Sequence, residues 1–526
     1  MKKITSIILS TVLAAACWPT GAFAQQKNTK SEDDAVKMEH AQIGIVDDAT
    51  SGYKHTINPG AQWFPQAGFG MFIHWSIASV KALDLSWPMM AGTQIGWKNP
   101  KPDTATVAKY IKDGDFFAGH KCETDGTCIT PNQYWAMAKD FNPQSFDPDT
   151  WVRLAKEAGM KYVVFTTRHH DGFAMWPSKY GDFSTRNYLS GKDFVKDYVK
   201  ACRKYGLKVG LYYSGPDWHF NRDFQSFMYY GVGKNYPNVP SLDADLHVRT
   251  DVKTEAQKQQ HYEEVAGYIK GQVEELLTNY GKIDMIWFDG APDIPKGNIA
   301  WQHCITMDQI HKLQPGIVVS PRFFGYGDYK TLEGDKSLPK TQQGDWAELC
   351  ATIAEPGWGY TKAPLKSTAY ALNMLATCRA NNANLLLNFG PTKEGVFTAE
   401  MISRLHDIAA WMKVNGVAVS NTQPLGGAEQ ASTLATASGK HRYLFVMPDV
   451  SNKLKSPVLP LPATTVTLKT PGAVKRVNML GKNNKINYTA SNGQIVIQVP
   501  AALRSVNGDV IDVELDDRFT DTANVK

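Results

Sequence analysis

No part of the 526-residue chain holds the unbroken apolar run of roughly 18 residues that a membrane-spanning helix needs. Neither sign of charge dominates: 56 basic residues face 51 acidic ones, a net of +5 that becomes +3 once Lys2 and Lys3 leave with a leader. No single-sign field therefore recommends nucleic acid or an anionic surface as partner. Metal-chelating patterns are also missing. None of the 13 histidines falls in an H-x-x-x-H or H-E-x-x-H pattern. The close pair Cys122 and Cys128 lacks the second pair that a structural zinc would require. No metal and no cofactor is expected.

What is present begins with MKKITSIILSTVLAAACWPTGAFAQQ, two lysines, a short apolar run and the triplet Ala22-Phe23-Ala24. This reads as a signal peptide, residues 1–24, cut before Gln25, which implies export to the periplasm or the medium. Cys17 as a lipid acceptor is the alternative. In an exported chain Cys122 and Cys128, bracketing CETDGTC, are the expected bridge. Cys202, Cys304, Cys350 and Cys378 are expected to be buried thiols.

From residue 61 onward, short apolar runs alternate with segments of helical period. GFGMFIHW, KYVVFTTRHH, KVGLYYS, KIDMIWFDG, GIVVSPRF and NLLLNFGP read as buried strands. DTWVRLAKEAGM, FVKDYVKACRKYG and EAQKQQHYEEVAGYIKGQVEELLTNYG read as helices between them. Repeated strand–helix units predict an α/β fold, a (β/α)8-like TIM barrel over residues 25–425. After residue 432 the helical period disappears. HRYLFVMP, TTVTLKT, AVKRVNML, GQIVIQVP and DVIDVELDD then predict an antiparallel β-sandwich over residues 426–526, with NTQPLGGAEQAS as linker. Long connections, one holding CETDGTC and one over residues 221–250, leave strand C-terminal ends and are expected to wall the barrel mouth.

Polar residues cluster at those strand ends, which in a barrel converge on one face. His74 follows the first strand, Arg168, His169 and His170 the second, Tyr213 and Ser214 the third, Asp289 the fourth and Arg322 the fifth. Asp289, emerging after Trp287 and Phe288, could attack a sugar's anomeric carbon or could merely cap a helix. His169 and His170 alone could be one core and one surface residue. Neighbours on a strand point to opposite faces, which argues against both binding one ion.

GFGMFIHWS, FNPQSFDPDTWVRLAKEAGMKYVVFTTRHHDGFAMWPS, GLYYSGPDW, IDMIWFDG, VVSPRF, ELCATIAEPGWGY, NLLLNFGP and WMKVNGVAVSNT resemble, in order, the motifs of glycoside hydrolase family 29, the α-L-fucosidases. The resemblance spans about residues 60–516. It implies a retaining exo-fucosidase with a metal-free carboxylate pair, acting on fucosylated oligosaccharides or glycoconjugates. By resemblance, Asp289 is the nucleophile and His74, Trp87, His169, His170, Trp287 and Arg322 line the sugar pocket, with Tyr213, or else Tyr212, beside them. The acid/base comes from a region that drifts within the family: Glu333 is the first choice, Glu348 the second and Asp335 the third. Ser86 stands where members often carry a glutamate that contacts a sugar hydroxyl. That leaves a related exo-glycosidase, such as an α-L-galactosidase, or a non-catalytic fucosyl-glycan-binding protein as alternatives.

Overall fold

The computed structural model describes residues 55–92, 129–229, 239–294, 300–323, 327–334, 338, 344–483 and 485–516. Residues 1–24, Cys122, Cys128 and Asp335 lie outside these residues, so the expected export signal, the expected cysteine bridge and the third acid/base choice do too.

Eight strands form one parallel sheet: β1 (Phe69–Ile73), β2 (Tyr162–Arg168), β3 (Lys208–Ser214), β4 (Met285–Asp289), β5 (Val318–Val319), β6 (Lys330–Glu333), β7 (Ala347–Thr352) and β8 (Asn384–Phe389). Their spatial order is β5-β4-β3-β2-β1-β8-β7-β6. This is the neighbour order of a (β/α)8 barrel, with the seam between β5 and β6. Six of the strands are the predicted apolar runs. The other two, β6 and β7, are KTLE and AELCAT, whose polar residues hide them from any hydrophobic count. Helices Pro148–Glu157, Phe194–Tyr205, Glu255–Thr278, Thr368–Ala380 and Ala399–Asn415 cover the outside. Each N-terminus is capped by Asp or by a Ser/Thr hydroxyl that accepts from a first-turn N–H.

The barrel interior holds Phe72, Tyr162, Tyr212, Trp287, Cys350 and Leu386 in one packed cluster. Gly70 makes this filling possible. A Cβ there would lie 2.4 Å from Tyr162 Cζ, and that phenol must cross the floor to donate to Glu348 Oε2 at 2.6 Å. Gly70→Ala is therefore expected to lower unfolding free energy by about 1–3 kcal/mol, as overpacking of rigid cores does. A denaturant titration with an unchanged midpoint would contradict this.

Strand β2 contains a register shift: Thr166 pairs with Tyr212, but Arg168 pairs with Tyr213. The extra residue turns Arg168 outward. There it donates to Gln272 Oε1 at 2.9 Å and pairs with Asp217 at 3.1 Å. Tyr213 points the same way, and its hydroxyl donates to Gln272 Oε1 at 3.1 Å.

Two antiparallel sheets follow. One orders Gln430–Ala431, Thr464–Lys469, Gln494–Val499 and Asn487–Ser491. The other orders Val474–Met479, Asp509–Leu515, His441–Val446, Ala435–Ser438 and Gln423–Pro424. Val466, Leu468, Ile495 and Ile497 from the first pack against Leu444, Ile511 and Val513 from the second, which makes the expected sandwich. The segment read as a linker supplies one short strand to each sheet. The unit is tied to the barrel by the Trp411 indole, donating to Gly508 O at 2.9 Å, and by Lys453 pairing with Glu355.

Candidate active site

The C-terminal ends of the barrel strands converge on Asp289. Its Oδ1 accepts from Arg322 Nη1 at 2.7 Å and its Oδ2 from the Tyr212 hydroxyl at 2.6 Å. Arg322 lies in the turn after the short strand β5. Its Nη2 donates to Glu333 Oε2 at 2.5 Å, so one guanidinium spans both carboxylates. Beneath it the Trp287 ring centroid is 4.7 Å away, and that ring stacks on Tyr212 at 5.7 Å. Burial by itself would raise the Asp289 pKa. Arg322, then His170 and the Tyr212 hydroxyl outweigh it and hold the carboxylate below its ordinary range. Asp289 is thus kept ionised although only 7% exposed.

Register along the strands places the two glutamates at different depths, Glu348 two residues below the level of Glu333. Glu333 closes β6 at the mouth and pairs with Cys350, whereas Glu348 is the second residue of β7 and pairs with Thr331. Glu348 is wholly buried. Its carboxylate accepts from Tyr162 at 2.6 Å, from the Trp287 indole at 2.9 Å and from Tyr329 at 3.2 Å. Burial pushes its pKa up to about 7 against the pull of those three donors. Sealed on the floor, the Glu348 carboxylate, the second choice for acid/base, braces Trp287, whereas Glu333 stands beside Arg322 and Asp289. Tyr213 is the other displaced residue. Side chains alternate along a strand, so Tyr212 takes the inward position beside Asp289 and Tyr213 faces the helices.

Three imidazoles complete the wall. His169 and His170 lie beyond the end of β2, where strand alternation no longer applies. Their rings are 4.1 Å apart and both face the cleft. Ligand atoms of His169, His170 and Asp289 lie within 4.8 Å of one another, so alternation is no argument against a shared ion. The Asp289 oxygens, however, are already engaged by Arg322 and Tyr212. His74 packs against Tyr212 at 5.2 Å and Trp358 at 5.1 Å. Burial lowers the pKa of His74 and of His170 to about 4, and that of His169 well below its usual value. All three are neutral at physiological pH.

Trp87 stands edge-on to His170 at 5.4 Å and to Trp218 at 5.5 Å. Ser86, fully buried, lies 2.6 Å from His169 Nδ1 and accepts from Asp171 N–H at 2.8 Å. It therefore braces a histidine and offers no group to the cleft. Asp171 is in turn held by the Tyr134 hydroxyl at 2.9 Å.

Several members of this site escape a reading of strand ends alone. Asp84 accepts from Trp358 N–H at 2.8 Å and Gly359 N–H at 3.2 Å, which docks the loop after β7. Asn388, a polar residue inside NLLLNFGP, holds His74. That interruption of an apolar run was the available signal. The insertions after β1 and β3 meet at the mouth, where Ala91 exchanges backbone hydrogen bonds with Phe227 and Tyr229 at 2.9 and 2.8 Å.

Residues 47–417 match the profile of the Alpha-L-fucosidase family. Among curated proteins, the tissue alpha-L-fucosidase of Bos taurus is 26% identical over 446 residues, covering 82% of each chain. The Homo sapiens enzyme is 26% identical, covering 82% of this chain and 83% of its own. Among solved structures, alpha-L-fucosidase isoenzyme 1 from Paenibacillus thiaminolyticus superposes with a TM-score of 0.63 at 26% identity, covering 87% and 99%. A Bacteroides thetaiotaomicron alpha-L-fucosidase trapped as a covalent intermediate with 2-fluoro-fucosyl fluoride superposes at 0.64 with 21% identity, covering 89% and 99%, a likeness of fold.

Proposed function

The chain belongs to the α-L-fucosidase family of glycoside hydrolases, and from that premise we propose that it releases terminal α-linked L-fucose from glycans with retention. The observation that carries this reading is Arg322 bridging Asp289 and Glu333. One guanidinium joining both carboxylates is compatible with the roughly 5–5.5 Å separation that a double displacement needs.

Asp289, ionised and desolvated, attacks the anomeric carbon from one face. Glu333 gives its proton to the departing glycosidic oxygen, and a glycosyl ester forms on Asp289. Glu333 then takes a proton from water as that water attacks the same carbon, Asp289 leaves as carboxylate, and fucose departs with its configuration kept. Tyr212 and Arg322 hold the nucleophile's lone pairs in place, and Trp87 with Trp218 forms an apolar wall beside His170. Because Ser86 is spent on His169, the hydroxyl that a glutamate would contact there must find another partner. That favours testing a second reading, an L-galactosidase on the same scaffold.

The test is hydrolysis of an aryl α-L-fucoside beside the matching α-L-galactoside, with and without EDTA. The fucoside is expected to react faster and EDTA to leave both rates unchanged. Faster galactoside hydrolysis would select the second reading, loss of activity restored by zinc would establish a metal, and no release from either would indicate a binding protein. The same assay across pH has a fixed sign. Below about pH 4 His74 and His170 take up protons, so kcat/KM is expected to fall there as neutral acceptors become cations beside Asp289. Full activity at pH 3 would contradict this electrostatic picture.

A further inference from the structure

The hydroxyl of Ser214 has one hydrogen, and it donates it to Pro216 O at 2.7 Å. A carbonyl oxygen can only accept. Ser214 Oγ also lies 2.5 Å from His170 Nδ1, and with its hydrogen committed it can only accept there. His170 Nδ1 must therefore carry the ring proton. In a neutral imidazole the other nitrogen is then a bare lone pair. That nitrogen, Nε2, is buried without a hydrogen-bond partner among the described residues, 3.8 Å from Asp289 Oδ2. Two acceptors facing each other do not bond, and the gap between them takes a donor.

The same logic holds for His74, which follows the neighbouring strand β1. Asn388 Nδ2 donates to Trp358 O at 2.6 Å, which fixes the amide with Oδ1 toward His74 Nδ1 at 2.8 Å. His74 Nδ1 thus donates to Asn388, and its Nε2 is a lone pair as well. Ser86 does not impose such an order on His169, since its hydroxyl hydrogen has no fixed recipient.

We propose that Ser214 and Asn388 are positioning residues that lock His170 and His74 in the Nδ1–H tautomer, so that both present Nε2 as acceptors and read the hydrogens of sugar hydroxyls. The sugar half of the inference rests on the proposed fucosidase reading, whereas the tautomer half does not. It also assigns Ser214 a kinetic role. A proton on His170 Nε2 would point at Asp289 Oδ2 and draw charge from the nucleophile, so the serine keeps that contact free of hydrogen.

Neutron diffraction from crystals of the full chain reads the tautomer directly: hydrogen is expected on Nδ1 of both rings, and hydrogen on His170 Nε2 overturns the proposal. The functional arm uses aryl α-L-fucosides lacking one ring hydroxyl each. For the wild type, one deoxy substrate is expected to lose kcat/KM by about 5- to 150-fold, as a buried acceptor left unpaired would cause. Ser214→Ala is expected to cut turnover of the parent fucoside and to erase the penalty for that deoxy substrate, while Ser214→Thr restores both. Equal slowing of every substrate by Ser214→Ala would reduce the serine to a packing role and overturn the proposal. If the wild type hydrolyses no fucoside, the proposed function fails, and the neutron map still decides the tautomer.

Discussion

Asp289→Ala is expected to lower kcat for an aryl α-L-fucoside by a factor on the order of 10^4 or more, the scale seen when a covalent nucleophile is removed. Without the carboxylate no glycosyl ester can form, and the remaining groups only bind and orient. The fold should survive. Arg322 would lose one partner but keep Glu333, so no unpaired buried cation is created, which is what makes such deletions costly. Thermal unfolding within a few degrees of wild type would verify this. Azide supplies the decisive check. It can occupy the space that alanine vacates and attack the anomeric carbon from that face, giving a fucosyl azide of inverted configuration. Near-normal turnover by the variant would end the nucleophile assignment.

Glu333→Gln should separate by leaving group. Loss of a positioned general acid costs typically 10²–10⁴-fold, so fucosyl oligosaccharides, whose departing alkoxide needs a proton, are expected to lose that much. A dinitrophenyl fucoside leaves unaided, so its first step should proceed and the ester on Asp289 should accumulate, because no base then activates water. Added azide would discharge this ester with net retention, the opposite stereochemistry to that from Asp289→Ala. Glu348→Gln is the control. That carboxylate holds Trp287, Tyr162 and Tyr329, so its loss should depress all substrates alike. Were Glu348→Gln the variant sensitive to leaving group, or Asp335→Asn, the acid/base assignment would pass to that residue.

How far the site was legible follows from which physical rule governs each residue. Asp289 could be found because an acid ending an apolar strand has one destination in a parallel barrel, the mouth. His74, His169, His170 and Arg322 were found by the same rule. Tyr212 and Tyr213 are equivalent in composition, and only the pairing of Tyr212 with Trp287 decides which phenol enters the barrel. The two glutamates posed the harder version of this problem. β6 and β7 carry polar residues that face inward, so no periodicity marks them as strands, and without register the depth of neither glutamate can be assigned.

The sequence by itself determined the layered architecture, the strand ends and the carboxylate that closes β4, because burial of apolar surface on both faces of a parallel sheet leaves a repeating pattern in the chain. Only the tertiary structure decided that Glu333 faces the mouth while Glu348 lies on the floor, that adjacent histidines share one cleft, and that Ser214 and Asn388 dictate where their partners carry a proton. Those outcomes depend on pairing register, on a single extra residue in β2, and on hydrogen-bond partners far apart in the chain. Asn388 reaches His74 across 314 positions, and no local spacing encodes a contact of that kind.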